Sequence, residues 1–155
     1  MGMLSDKQVT AMFGTFTYKD NPDGSIVIDP KWVASNIATI HTVVIPTIRC
    51  HVKVAKQLSA ALSKIHMQGL GKMIKTYDGA WYGRHRRWDK RAGLSRHSWG
   101  VCIDLNYGSN PMGKYNYEME PLAAIFSEMG WLWGNTWSPE KYADPTHFEI
   151  FDLWN

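Results

Sequence analysis

Residues 95–104 read SRHSWGVCID. Apolar and polar side chains alternate from Val101 to Asn106, which predicts a strand with one apolar face. Asp104 lies on the opposite, polar face of that strand. Gly100 allows the chain to turn between His97 and the strand, so the sequence places an imidazole and a carboxylate near the same point.

Residues 144–149 read DPTHFE. Phe148 stands between His147 and Glu149, and this alternation predicts a second strand with the two polar side chains on one face. If the two predicted strands are neighbours, Asp104 and His147 point to the same place. The two segments together then offer two imidazoles and a carboxylate to one ion.

Zinc accepts neutral imidazole nitrogen and carboxylate oxygen, and catalytic zinc sites take three protein ligands and leave a fourth position to water. His97, Asp104 and His147 can supply those three ligands. Glu149 is predicted to accept a hydrogen bond from a ligand imidazole, since metal-bound histidines commonly donate their free N–H to such a group. The spacing therefore predicts a metal-dependent hydrolase.

The motif SxHxxGxxxD at residues 95–104, followed by GWLWGNTW at 130–137 and DxxHFE at 144–149, resembles the zinc D-alanyl-D-alanine carboxypeptidase family (VanY-like). Within that family the chain is most similar to phage endolysins that act as L-alanyl-D-glutamate peptidases. The similarity extends over roughly Ile26 to Phe151. It implies a fold like that of the hedgehog and DD-peptidase domains.

The resemblance also implies roles for single residues. His97, Asp104 and His147 match the zinc ligands of the family. Asp144 matches its catalytic carboxylate, which takes a proton from the attacking water and passes it to the leaving nitrogen.

Three further residues are expected to contact the substrate. Arg84 matches an arginine that the family places against the substrate carbonyl, so it is expected to be catalytic and substrate-binding. Ser95 matches the motif serine near the substrate. Trp99 is one of several tryptophans in this half of the chain that can form an aromatic wall beside the metal, although core packing is the alternative for each of them.

The sequence departs from the family pattern at two places. Cys102 stands where the family usually has alanine, and Asn135-Thr136 replaces a more usual Gly-Asp. We expect Cys102 to act as a small buried hydrophobic side chain, with a fourth metal ligand as the alternative. Cys50, the other cysteine, is expected to be a reduced thiol.

The remaining pattern predicts an α+β domain, in which helices pack on a small, mainly antiparallel sheet. We expect strands at residues 26–28 and 73–76, with a turn at Asp78-Gly79. Helices are expected to begin at Pro30, to run from about Arg49 to Gln68, and to begin near Pro121. Gly130 is predicted to end the last helix.

A chain of 155 residues fits one domain. We therefore expect a single peptidase domain over residues 1–155, acting as a monomer and without a separate wall-binding module. No secretory signal or apolar membrane span is visible, so we expect synthesis in the cytoplasm and action on the cell wall after release.

The net charge is +3, and basic residues are dense from Arg84 to Arg96. A nucleic-acid surface is one interpretation of this run. A loop that attracts an anionic substrate is the better interpretation, because the run leads into the metal motif and peptidoglycan stem peptides carry carboxylates.

Two classes of function remain open. The first is a zinc peptidase acting on the peptidoglycan stem peptide, either as an L-alanyl-D-glutamate endopeptidase or as a D-alanyl-D-alanine carboxypeptidase. The second is a zinc-bearing binding module that has lost catalysis. Asp144 and Arg84 favour the enzyme, because a purely structural zinc site needs neither.

Overall fold

The computed structural model describes residues 2–155, and it confirms an α+β architecture. Within those residues four α-helices are present: α1 (Asp6–Phe13), α2 (Pro30–Asn36), α3 (Ala55–Met67) and α4 (Glu120–Glu128). The predicted helix at Pro30 is therefore confirmed, and so is the helix near Pro121.

Eight short strands of the described chain form three antiparallel sheets. Two of these sheets are hairpins, made by β1 (Tyr18–Asp20) with β2 (Ile26–Ile28), and by β3 (Ile37–Ile40) with β4 (Ile48–His51). The third has four strands in the order β5-β6-β8-β7. Its strands are β5 (Tyr77–Gly79), β6 (Cys102–Leu105), β7 (Trp131–Trp133) and β8 (His147–Ile150).

The hydrophobic core lies between the four-stranded sheet and the helices α3 and α4. Phe148 of β8 is completely buried, and its ring stacks on Phe126 of α4 with centroids 4.4 Å apart. Trp133 of β7 also stacks on the Phe148 ring, with centroids 6.2 Å apart. The apolar side chains of β8 are therefore held by aromatic packing, which leaves its polar side chains to the opposite face of the sheet.

The helix predicted from about Arg49 is wrong in its first part, because the chain is extended there. Residues 48–51 form β4 and pair with β3, so that Cys50 faces Ala38 and His51 faces Ile37. The helix begins only at Ala55. Its predicted apolar stripe is confirmed by the fully buried side chains of Leu58, Ala61, Leu62 and Ile65.

The strand predicted at residues 73–76 is also wrong. The backbone N–H groups of Lys75 and Thr76 both donate to the side-chain oxygen of Asn106, at 2.7 and 3.0 Å. A side chain thus takes the place of a strand partner, and pairing begins only at Tyr77. Gly79, predicted to lie in a turn, is instead the last residue of β5.

Gly130 follows α4 with φ +78, which agrees with its predicted role in ending that helix. Among residues 2–155 no helix has the length and apolar character needed to cross a membrane.

Candidate metal centre

The two motif strands are neighbours in the four-stranded sheet, as predicted. β6 and β8 pair antiparallel, with Asp104 directly opposite His147 and Cys102 directly opposite Glu149. Directly opposite residues project from the same face of a sheet. One face of this strand pair therefore carries a carboxylate, an imidazole, a thiol and a second carboxylate.

His97 reaches this face from a short 3-10 turn, Arg96–Trp99, that precedes β6. The Ser95 hydroxyl caps the turn by accepting from the His97 N–H at 3.4 Å. Gly100 ends the turn at φ +69, and a Cβ there would lie 2.9 Å from the His51 backbone nitrogen. The predicted turn at Gly100 is confirmed, and it needs glycine.

Backbone contacts fix the orientation of the His97 ring. Nδ1 donates to the carbonyl oxygen of Ala80 at 2.9 Å, so the lone pair lies on Nε2. Nε2 is buried and has no hydrogen-bond partner, although it lies 3.0 Å from Oδ2 of Asp104. A buried imidazole nitrogen that is held in this way and left without a partner is suited to a metal. Ala80 could not be predicted as a contributor from the sequence, since only its backbone takes part.

The His147 ring lies between two carboxylates. Its Nε2 donates to Oε2 of Glu149 at 3.2 Å, and its Nδ1 faces Oδ1 of Asp104 at 2.8 Å. Glu149 is almost completely buried. The structure thus places Glu149 where the sequence predicts it, as the acceptor that orients the second imidazole.

Asp104 lies between the two imidazoles. Burial alone raises the pKa of its carboxyl, but the contacts with His147 and with the nearby His97 outweigh burial and hold the pKa well below its usual range. Burial likewise lowers the pKa of His147, whereas its contacts with Asp104 and Glu149 raise it above the usual value. The cluster therefore keeps its carboxylate ionised and attracts positive charge.

Cys102 lies in the same cluster. Its Sγ and one ring nitrogen from each of His97 and His147 all lie within 4.8 Å of one another, and all three residues are buried. Burial raises the pKa of the Cys102 thiol well above its usual value, and the charges of Asp104 and Glu149 act in the same direction. The prediction of a buried thiol at this position is confirmed, but its surroundings are not those of a purely apolar side chain.

Asp144 stands at the edge of the cluster, in the loop before β8. Its Oδ1 accepts from the Thr146 hydroxyl at 2.8 Å, and its backbone N–H donates to Gly134 at 3.0 Å. The side chain is only partly buried, unlike the deeply buried His147. A carboxylate with one fixed oxygen and partial access to solvent is suited to exchange protons with a substrate.

Asn135 and Thr136, which replace the more usual Gly-Asp of the family, both form hydrogen bonds to the backbone. Oδ1 of Asn135 accepts from the Asn116 N–H at 2.8 Å, and the Thr136 hydroxyl donates to the Trp133 carbonyl at 2.8 Å. Both side chains therefore hold the turn that carries Gly134.

Arg84 is joined to the His97 segment through its backbone. Its N–H donates to the Ser98 hydroxyl at 3.1 Å, and its carbonyl accepts from the Ser95 N–H at 3.0 Å. The guanidinium donates to the His85 carbonyl at 3.3 Å and lies 5.4 Å from the centre of the Trp88 ring. A clamp by Arg84 on the substrate stays a prediction.

The basic run is partly engaged in ion pairs. Asp6 of α1 accepts from both Arg86 and Arg96, and Arg91 pairs with Asp89 at 2.9 Å. These contacts tie the N-terminal helix to the segment that carries His97.

Two of the residues predicted at the substrate have mainly structural contacts. The Ser95 hydroxyl is the cap described above. Trp99 is buried to 6% exposure, and its indole N–H donates to the Gly14 carbonyl at 2.9 Å. Contact of either residue with substrate stays a prediction.

His85 is buried between two acceptors. Its Nε2 faces Oδ1 of Asp20 at 2.7 Å, and its Nδ1 faces the Ala92 carbonyl at 2.8 Å. Both partners are distant in sequence or lie in the backbone, so no local pattern could reveal them.

Residues 88–150 match a family model described as D-alanyl-D-alanine carboxypeptidase. This match confirms the resemblance seen in the motifs, and it contains the predicted metal ligands and Asp144 but not Arg84. Peptidases of the family depend on a metal and act on cell-wall peptides. No curated protein and no solved structure matched the chain.

Proposed function

We propose that this chain, a metallopeptidase of the D-alanyl-D-alanine carboxypeptidase family, uses zinc to cleave the peptidoglycan stem peptide between L-alanine and D-glutamate. One observation carries the proposal. Nε2 of His97 and Nδ1 of His147 lie 3.0 and 2.8 Å from the two oxygens of the Asp104 carboxylate, and the Asp144 carbonyl accepts from the His147 N–H at 3.2 Å.

The donor set fits zinc. At a zinc–ligand distance of about 2.0–2.1 Å, tetrahedral geometry separates neighbouring N and O donors by about 3.3 Å. The two imidazole nitrogens lie 3.0 and 2.8 Å from the two oxygens of Asp104, which is close to that separation. The partnerless Nε2 of His97 supports the same assignment.

The residues around the metal centre have separate roles in amide hydrolysis. Zinc held by His97, Asp104 and His147 would supply a Lewis acid that activates water and polarises the scissile carbonyl. Asp144 accepts a proton during attack and delivers it to the departing nitrogen. Ala80 and Glu149 keep the two imidazoles in place, and Arg84 stabilises negative charge on the substrate through its planar fork.

The basic run supports an anionic substrate. Arg87 and Lys90 are exposed, and Arg84 lies on the same loop. D-Glutamate in a stem peptide carries a carboxylate next to the bond to L-alanine, which agrees with the sign of this charge. Similarity to D-alanyl-D-alanine carboxypeptidases favours a second candidate, that same activity, whose substrate also ends in a carboxylate.

Mass spectrometry of purified peptidoglycan after digestion separates the two candidates. The zinc-loaded protein should release peptides that begin with D-glutamate, and the Asp144→Asn protein should not. Loss of terminal D-alanine alone would assign the carboxypeptidase activity instead. No new product from zinc-loaded, folded protein would contradict both and favour a binding module.

A further inference from the structure

The thiol of Cys102 is the one chemically soft group on the metal-binding face, and the proposed mechanism does not use it. Cys102 and Asp104 are two residues apart on β6 and therefore project to the same side. Their cross-strand partners are Glu149 and His147. The thiol is thus built into the same four-residue face as two predicted contributors to the metal site.

The distances place the sulfur close to coordination range. Sγ lies within 4.8 Å of one ring nitrogen of His97 and one of His147. In a tetrahedral zinc site, with zinc–nitrogen at about 2.0–2.1 Å and zinc–sulfur at about 2.3 Å, nitrogen and sulfur are about 3.6 Å apart. The remaining gap is therefore at most about 1.2 Å, which a small side-chain or backbone adjustment closes.

A second observation points to a ligand at this place. Nε2 of His97 is buried and has no hydrogen-bond partner, and His97 is one of the same three grouped residues. Cys50 shows that burial alone does not produce such surroundings. It is a free, completely buried thiol too, but within residues 2–155 it belongs to no comparable group of ligands.

We propose that Cys102 is an additional, exchangeable metal ligand that gives the centre an affinity for thiophilic divalent cations. On coordination the S–H bond breaks, its proton goes to solvent, and the thiolate binds the metal with no change of oxidation state. Catalytic zinc sites need their fourth coordination position open for water or substrate. A thiolate bound at that position would compete with both. The proposal rests on the metal centre of the proposed function and deepens it.

Cadmium provides a readout that does not depend on activity, because a cadmium–thiolate bond gives charge-transfer absorption in the ultraviolet. The full chain, stripped of metal by a chelator, is titrated with cadmium chloride. We expect the absorption to appear at one equivalent in the wild type and in Cys50→Ser. Cys102→Ala and Cys102→Ser should bind cadmium without it.

The control variants make the result decisive. Cys50→Ser removes the other thiol, and two replacements at Cys102 guard against one of them failing to fold, which circular dichroism checks. A wild type that binds one cadmium without the absorption would overturn the proposal, as would absorption that persists without Cys102 or a wild type that binds no cadmium. Thiolate absorption in a protein without peptidase activity would leave Cys102 a ligand and contradict only the proposed function.

Discussion

Replacing Gly134 by alanine tests how the fold places Asp144. A Cβ at Gly134 would lie 2.5 Å from the Asp144 carbonyl oxygen and 3.3 Å from Cβ of both Asp144 and His147. The backbone oxygen cannot rotate away as a flexible side chain can. Ordinary contact begins at 3.4 Å, so the two segments must separate by about 0.9 Å.

A misplacement of about 1 Å at a catalytic group can reduce a rate by about a hundredfold. We therefore expect Gly134→Ala to lower kcat on purified muropeptide by about that factor. Overpacking of this kind costs about 1–3 kcal/mol of stability, which for a chain of this size lowers Tm by about 2–12 °C. The protein should nevertheless fold well enough for its kinetics to be measured.

Gly108→Ala is the matched control. Gly108 also lies in a short 3-10 turn, but it is exposed, and a Cβ there would meet nothing within 4 Å. The Gly108→Ala protein should keep both the wild-type kcat and the wild-type Tm. If folded Gly134→Ala kept full kcat, the backbone contact with Gly134 would not be what positions Asp144 for catalysis.

Three further predictions concern single side chains. Asp144→Asn should keep its metal but lose at least about a hundredfold in hydrolysis, because the amide cannot accept a proton; near-normal turnover in metal-replete protein would exclude Asp144 as the base. Arg84→Lys should lower kcat/KM by about a hundredfold, whereas Lys90→Gln should mainly change the dependence on salt; the reverse pattern would show that the motif alignment through this loop is wrong. His85 has a raised pKa, chiefly because it is hydrogen-bonded to Asp20, so its contribution to stability is present at low pH and is lost as pH rises through the folded-state pKa. Chemical denaturation should show that His85→Gln loses more unfolding free energy at about pH 5 than at about pH 9, and an equal loss would argue against a charged His85.

The features that the sequence predicted best depend on local alternation. The β6 and β8 strands were predictable because a period of two separates Phe148 from His147 and Glu149, and the pairing of Asp104 with His147 agrees with that interpretation. The end of α4 at Gly130 was predictable for a similar reason, since glycine readily adopts positive φ.

The errors have tertiary causes. Residues 49–51 were predicted to begin a helix, yet they are extended because β3 offers them strand partners. Residues 75 and 76 look like a strand, but Asn106 takes their backbone donors. His85 and Ala80 gained their roles from contacts that no spacing in the sequence encodes.

The central claim is that His97, Asp104 and His147 hold one zinc ion. Anomalous diffraction at the zinc absorption edge, from crystals of the zinc-loaded chain, tests this most directly. We expect one peak per chain, between Nε2 of His97, the Asp104 carboxylate and Nδ1 of His147. A zinc-loaded chain with no peak at that point, or with its zinc bound by other residues, would contradict it.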